Sequence, residues 1–87
     1  MEYVYIVQDG EICSGVFNLG EVEYVTRDFE DALCYLADLI LESEDDDYPK
    51  TTDGIKDYIC EHCCHSNTFG DVFWTTFHGT IIKRVLH

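Results

Sequence analysis

The run Cys-Glu-His-Cys-Cys-His at residues 60–65 is the densest group of potential metal ligands in the chain. Structural zinc sites use four Cys or His ligands, usually supplied as two separated pairs. Residues 60–65 offer one evident C-x-x-C pair, and the cysteines and histidines elsewhere fit no standard zinc-finger spacing. Free cysteines also pack as small apolar side chains, so the sequence favours packing and keeps a zinc-stabilised protein–protein interaction module as the alternative. The residues of this zinc hypothesis are Cys60, His62, Cys63, Cys64 and His65.

No residue pattern in the chain indicates catalysis. A Gly-rich phosphate loop, a G-x-S-x-G elbow and an H-E-x-x-H helix are all missing from the sequence. The acidic run at residues 44–47 has the oxygen ligands that Ca²⁺ and Mg²⁺ prefer, but it lacks the alternating spacing, the Gly and the terminal Glu of an EF-hand loop. We therefore predict a non-enzymatic protein without a bound cofactor.

A helix predicted from Thr26 to Glu44 positions most of the carboxylates. Its apolar residues recur every three or four positions, which is typical of an amphipathic helix. They are Phe29, Ala32, Leu33, Leu36, Leu39 and Ile40. A second face carries Asp31, Tyr35, Asp38 and Glu42, and Asp45 continues the same spacing. One element can therefore anchor a core and present a line of carboxylates.

Net charge is the dominant property of the composition. Eighteen Asp and Glu against five Lys and Arg give a formal net charge of -13 at pH 7. Proteins that bind nucleic acid directly need a basic surface, so this balance excludes nucleic acid as a ligand and favours a basic protein partner. With 46% hydrophobic residues in 87, the chain is predicted to form a single folded domain over residues 1–87.

The sequence also bears on compartment. No stretch approaches the ~18 consecutive apolar residues of a membrane span, and the first residues lack the basic region of a signal peptide. An odd count of five cysteines without a secretory signal indicates reduced thiols. We expect a cytoplasmic protein with no membrane contact, and the sequence leaves monomer and homodimer both open.

The order of the predicted elements indicates an α+β fold. Strands are expected at residues 3–8, 11–17 and 21–25, with turns at Asp9–Gly10 and residues 18–20. The long helix, capped by Thr26 or Asp28, is followed by a shorter one that is capped within residues 51–53 and ends near His65. After a loop around Phe69 come strands at residues 72–77 and 80–86, joined by a turn at His78–Gly79. Hairpins at both ends predict an antiparallel four- or five-stranded sheet with both helices packed on one face.

The acidic end of the long helix suggests a mimic of the nucleic-acid backbone. Carboxylates at positions 38, 42 and 45 stand about one helical turn, or ~5.4 Å, apart. A groove that binds phosphates through Lys and Arg can accept such a line of charge. The acids of residues 42–47 also lie at the negative pole of the helix dipole, where a chain selected for stability alone would carry Lys or Arg. Such local conflicts collect at functional sites.

In size, charge and strand–helix layout, the chain resembles small phage-encoded inhibitors of host defence, such as anti-CRISPR and anti-restriction proteins. The resemblance implies binding to the basic nucleic-acid-binding surface of a host protein, such as a CRISPR effector or a restriction enzyme, and a block of nucleic-acid access. The residues expected to bind this partner are Asp31, Tyr35, Asp38, Glu42, Glu44, Asp45, Asp46, Asp47 and Tyr48.

Overall fold

The structure is a computed structural model that describes residues 2–13, 16–66 and 72–85. The predicted loop around Phe69 and the predicted strand end at Leu86 lie outside these residues. The strands and helices, in chain order, are β1 (Tyr3–Cys13), β2 (Val16–Thr26), α1 (Phe29–Ser43), α2 (Thr52–His62), β3 (Cys64–Ser66), β4 (Val72–Thr76) and β5 (Gly79–Val85).

The strands form one sheet in the order β2-β1-β5-β4-β3, and every neighbouring pair is antiparallel. The predicted α+β class and the antiparallel five-stranded sheet are therefore confirmed, with hairpins β1–β2 and β4–β5 at the two ends of the chain. Among the helices of the described residues, none combines the length and apolarity that a membrane span requires.

The N-terminal hairpin differs from the prediction. The expected turns at Asp9–Gly10 and residues 18–20 are wrong, because both segments lie inside two long strands. Gly10 has a φ of 98° and sits at a shift in the β1–β2 register. A glycine with positive φ serves a β-bulge as readily as a tight turn, so the Asp-Gly signal does not distinguish the two.

Helix α1 begins as one of the two predicted caps requires. The Asp28 carboxylate accepts a hydrogen bond from the Glu30 N–H at 3.0 Å, which satisfies a donor that the first turn leaves free. The other candidate cap, Thr26, belongs to β2, and its hydroxyl accepts from the Asp28 N–H at 3.2 Å. The helix ends where Glu44 adopts the left-handed conformation, with φ 56°, and its N–H bonds the Leu41 carbonyl.

Helix α2 is shorter than predicted. Its N-cap is Thr51, whose hydroxyl accepts from the Gly54 N–H at 3.1 Å. It ends at His62 rather than near His65, because residues 64–66 form β3 and pair with β4. Strand β3 is thus formed mainly by residues that were predicted to belong to the end of the second helix.

Both helices pack on the same face of the sheet. Val7 of β1 and Ile81 of β5 pair across the strands, and both are fully buried in one cluster with side chains of both helices. The helical members of the cluster are Ala32, Leu33, Leu36, Ala37, Ile40, Ile55 and Ile59. Because this apolar side of α1 packs on the sheet, the opposite side of the helix faces solvent.

Replacing Leu36 tests this packing. Its side chain is fully buried, so Leu36→Ala is expected to lower the free energy of unfolding by about 2 to 5 kcal/mol through lost burial and a new cavity. Leu41→Ala, on the same helix at 38% exposure, is the matched control and should cost less than about 1 kcal/mol. Urea denaturation followed by circular dichroism measures both, and equal losses would contradict the assigned helix orientation.

Candidate functional site

Five exposed carboxylates gather at the C-terminal end of α1 and in the loop that follows. Asp38 and Glu42 lie one turn apart on the solvent side of the helix, Glu44 is its C-cap, and Asp46 and Asp47 follow in the loop. We call these five residues the acidic face. All belong to the surface that the sequence predicted.

The acidic face is poorly neutralised by the rest of the chain. The last turn of α1 contains no basic residue, so the carboxylates add to the negative pole of the helix dipole. Lys50 pairs with Asp46 at 2.8 Å, with both side chains largely in solvent. No described residue forms an ion pair or a side-chain hydrogen bond with the carboxylates of Asp38, Glu42, Glu44 or Asp47. The acidic face therefore keeps most of its negative charge exposed to solvent.

Three other cations have neighbours away from the acidic face. Arg27 lies 3.7 Å from Glu2, Lys56 pairs with Glu30, and the Lys83 ammonium stands 4.1 Å from the centre of the Tyr3 ring. Arg84 also makes an interaction of its own. Because the few cations are spread over the molecule, their charge does not offset the local excess at the end of α1.

Two predicted members of the surface, Asp31 and Tyr35, contact β2 instead of facing solvent freely. The Asp31 carboxylate accepts hydrogen bonds from the Tyr24 hydroxyl at 2.7 Å and from the Thr26 hydroxyl at 3.1 Å. The Tyr35 ring stacks on the Tyr24 ring, with centroids 4.8 Å apart and planes 8° apart. The hydrogen bond to Asp31 raises the pKa of Tyr24. These contacts tie α1 to β2, so Asp31 and Tyr35 orient the helix.

Asp45 is half-buried, and its carboxylate organises the loop. It accepts a hydrogen bond from the Asp47 N–H at 2.9 Å and lies 2.8 Å from Nε2 of His78. Hydrogen bonding by the Asp47 N–H, and then by His78, holds the pKa of Asp45 below its ordinary value. The role of Asp45 is therefore to fix the loop against the β4–β5 turn, in which His78 lies.

Tyr48 is a core residue, which corrects its predicted place on the surface. Its side chain is 6% exposed, and its ring packs edge-on against Tyr58 and His78 at centroid distances of 5.4 and 5.5 Å. Its hydroxyl accepts a hydrogen bond from the Phe77 N–H at 3.1 Å, and burial raises the pKa of the phenol. Tyr48 and Asp45 together attach the acidic loop to the β4–β5 turn.

The structure also brings Ser43 to His78, a proximity that residues 35 positions apart do not reveal in sequence. Ser43 Oγ is 3.4 Å from the His78 Nε2 atom that Asp45 also contacts, and the Ser43 hydroxyl donates to the Ile40 carbonyl at 2.5 Å. A nucleophilic triad places the serine and the aspartate on different nitrogens of the histidine. This grouping is therefore a structural contact and not a triad.

The Cys and His residues of the zinc hypothesis are divided between two elements and two environments. Cys60 and His62 lie on the exposed end of α2, Cys63 is buried at its C-cap, and Cys64 and His65 belong to β3. Within the described ranges, no three His, Cys, Asp or Glu side chains are placed to hold one metal ion. The pKa values of the Cys60 and Cys63 thiols are raised, mainly by burial, which disfavours the thiolate that metals and electrophiles require.

A shallow groove of about 470 Å³ lies between α1 and α2. Its charged lining residues include Glu30, Asp53, Lys56 and Asp57. Lys56 pairs with Glu30, and that hydrogen bond raises the pKa of Lys56. The ammonium group of Lys56 is thus already paired with a carboxylate. An anionic ligand in the groove would be repelled by the carboxylates of Glu30, Asp53 and Asp57.

Phe77 is a surface residue that the sequence reasoning missed. The strand was expected to run to Phe77 and to turn at His78–Gly79, but β4 ends at Thr76 and the turn contains Phe77 and His78. The Phe77 side chain is 69% exposed. An aromatic residue next to a predicted turn is the one signal that could have identified it.

A scan against protein-family models, a search of curated proteins and a search of solved structures found no match to this chain.

The pH dependence of stability tests the role of Asp45. Since its pKa is lower in the folded state than in the unfolded chain, ionised Asp45 stabilises the fold above its ordinary pKa of about 4. That contribution disappears as the pH falls through the lower folded pKa. Asp45→Asn should therefore reduce the free energy of unfolding at pH 7, and the difference from the wild type should shrink at acidic pH. Denaturant titrations across this pH range measure the difference.

Asp38→Asn is the matched control for that experiment, because no described residue bonds the Asp38 carboxylate. As an exposed residue without such a bond, it should change the free energy of unfolding at pH 7 by less than about 0.5 kcal/mol. An equal loss of stability at pH 7 in the two variants would show that Asp45 does not hold the loop.

Proposed function

We propose that this chain is a non-enzymatic inhibitor whose acidic face binds the basic nucleic-acid-binding surface of another protein and blocks access of nucleic acid. The observation that carries the proposal is the set of exposed carboxylates, Asp38, Glu42, Glu44 and Asp47, that no described cation neutralises. Glu42 and Glu44 lie at the negative pole of α1, where they oppose helix stability, which favours a functional reason for keeping them.

The chemistry of a phosphate-binding groove matches this face. Such a groove presents Lys and Arg side chains to a line of negative charge. A net charge of -13 steers the chain toward such a groove over a distance set by the ionic strength. The same charge repels nucleic acid. The chain therefore competes with nucleic acid for the basic groove of the partner protein and does not bind the nucleic acid itself.

Rigid presentation also supports the proposal. Asp45 and Tyr48 attach the loop that carries Asp46 and Asp47 to the β4–β5 turn, and α1 is held by the core and by β2. A surface ordered before binding loses less conformational entropy on association than a flexible acidic tail. Tyr24, through Asp31, and Tyr48, through the Phe77 backbone, thus support binding indirectly, because they fix the positions of the carboxylates.

Host-defence nucleases and surveillance complexes are the partner class we propose, because they bind foreign nucleic acid in basic channels. The test is DNA binding and DNA cleavage by a guide-RNA-loaded CRISPR effector and by a restriction enzyme, each titrated with the purified chain. We expect inhibition of at least one, and we expect the inhibition to weaken steeply as salt is raised.

Neutralising carboxylates of the acidic face tests whether inhibition depends on that face or only on the overall net charge. The variant Asp38→Asn/Glu42→Gln/Glu44→Gln should raise the half-inhibitory concentration by about tenfold, which corresponds to about 0.5 kcal/mol for each of three exposed ion pairs. The control Glu21→Gln/Glu23→Gln/Asp57→Asn removes the same charge from exposed positions on β2 and α2. Equal losses in the two variants, or inhibition that salt does not weaken, would refute the proposed face.

A further inference from the structure

Phe77 presents a bare aromatic ring beside the acidic face. Its side chain is 69% exposed, the highest value among the large apolar residues that the structure describes as exposed. It belongs neither to the core cluster nor to any described aromatic pair. The ring therefore contributes little to the stability of the fold, and most of its apolar surface is available for contact with another molecule.

The turn that carries Phe77 is fixed by its own hydrogen bonds. The buried Thr76 hydroxyl accepts from the N–H groups of His78 and Gly79, each at 3.1 Å, and donates to the Gly79 carbonyl at 2.8 Å. The Phe77 N–H donates to the Tyr48 hydroxyl. Because these bonds hold the backbone on both sides of the residue, the ring projects from a rigid base.

The same bonds place the ring next to the acidic loop. Phe77 bonds Tyr48 through its backbone, and its neighbour His78 contacts Asp45 at 2.8 Å. Asp46 and Asp47 lie between those two loop residues in the chain, and both are exposed. The exposed Phe77 ring and the exposed Asp46 and Asp47 are thus carried by two segments that are bonded to each other.

This combination resembles a single strand of nucleic acid more than a duplex. In a duplex the bases are stacked inside and the outer surface offers phosphates, whereas a single strand presents phosphates together with unstacked bases. Grooves that bind single strands accordingly combine basic side chains with aromatic platforms for the bases. A phenyl ring can stack on such a platform in place of a base.

We infer that Phe77 acts as a base-like anchor and that the surface blocked by the acidic face is a groove for single-stranded nucleic acid. This inference rests on the proposed function, and it narrows the partner class to proteins that bind single-stranded nucleic acid. The carboxylates occupy the positions of phosphates, and the ring occupies an aromatic platform of the groove.

The test uses two purified probes, a bacterial single-stranded-DNA-binding protein with an OB fold and a histone-like protein that binds duplex DNA. Fluorescence anisotropy follows the displacement of a labelled oligothymidylate from the first and of a labelled duplex from the second. We expect the chain to displace the single strand at lower concentration than the duplex. Phe77→Ala should raise the concentration for half-displacement of the single strand by about tenfold or more, in line with the loss of a base–aromatic stack.

Two controls accompany the alanine variant. Phe77→Trp keeps an aromatic plane and should retain displacement, and Val25→Ala removes a 54% exposed apolar side chain from β2 and should leave displacement unchanged. Because Phe77 is exposed, circular dichroism should show all three variants folded as the wild type is.

The outcomes separate this inference from the proposed function. If Phe77→Ala has no effect while Asp38→Asn/Glu42→Gln/Glu44→Gln weakens displacement, the inference falls and the acidic inhibitor stands. Equal displacement of both DNA forms, or displacement of neither, would also overturn the single-strand assignment, while the nuclease titrations decide the proposed function. An effect of Phe77→Ala without any effect of the acidic triple variant would overturn both.

Discussion

The attachment of the loop after α1 to the β4–β5 turn is the constraint on which the candidate site depends. Asp45 contacts His78, and the buried Tyr48 accepts a hydrogen bond from the Phe77 backbone. Without these contacts, a loop of adjacent carboxylates would extend into solvent to reduce its own repulsion. With them, the loop is compact, and the carboxylates of its neighbours Asp46 and Asp47 have defined positions. One polar contact and one buried ring thus convert a run of charge into a surface of fixed shape.

Helix α1 combines two opposite electrostatic situations. At its start, Asp28 caps the helix and Glu30 and Asp31 lie near the positive pole, where carboxylates stabilise a helix. At its end, Glu42 and Glu44 lie at the negative pole with no basic residue in the last turn. The apolar stripe that packs on the sheet stabilises the helix despite this repulsion. Core burial therefore permits the carboxylates at the end of α1 that the proposed inhibitor needs, and those carboxylates contribute nothing favourable to folding.

Local signals predicted the parts of the fold that local interactions determine. The three- and four-residue apolar spacing predicted α1 and its buried face, and the observed caps Asp28 and Thr51 were among the alternatives that the sequence left open for the two helix starts. The Asp9–Gly10 pair misled because positive φ suits a turn and a bulge alike. Strand β3 was missed because its three residues carry no periodic pattern and exist as a strand only through pairing with β4.

In the candidate site, too, the features set by local sequence could be predicted, and the features set by contacts between distant residues could not. The exposed carboxylates of Asp38, Glu42 and Glu44 follow from helix periodicity and composition. The contact of Asp45 with His78 joins residues 33 positions apart, and the burial of Tyr48 and exposure of Phe77 follow from that same contact between distant segments.

The strand order has a consequence for when the surface can form. Strand β1 occupies the sheet interior between β2 and β5, and its pairing with β5 joins Tyr3 to Val85. Contacts between such distant residues close late and slow folding. During synthesis, β1 keeps one edge unpaired until β5 has left the ribosome. His78 and Phe77 lie in the turn just before β5, so the candidate site is complete only when the sheet has closed.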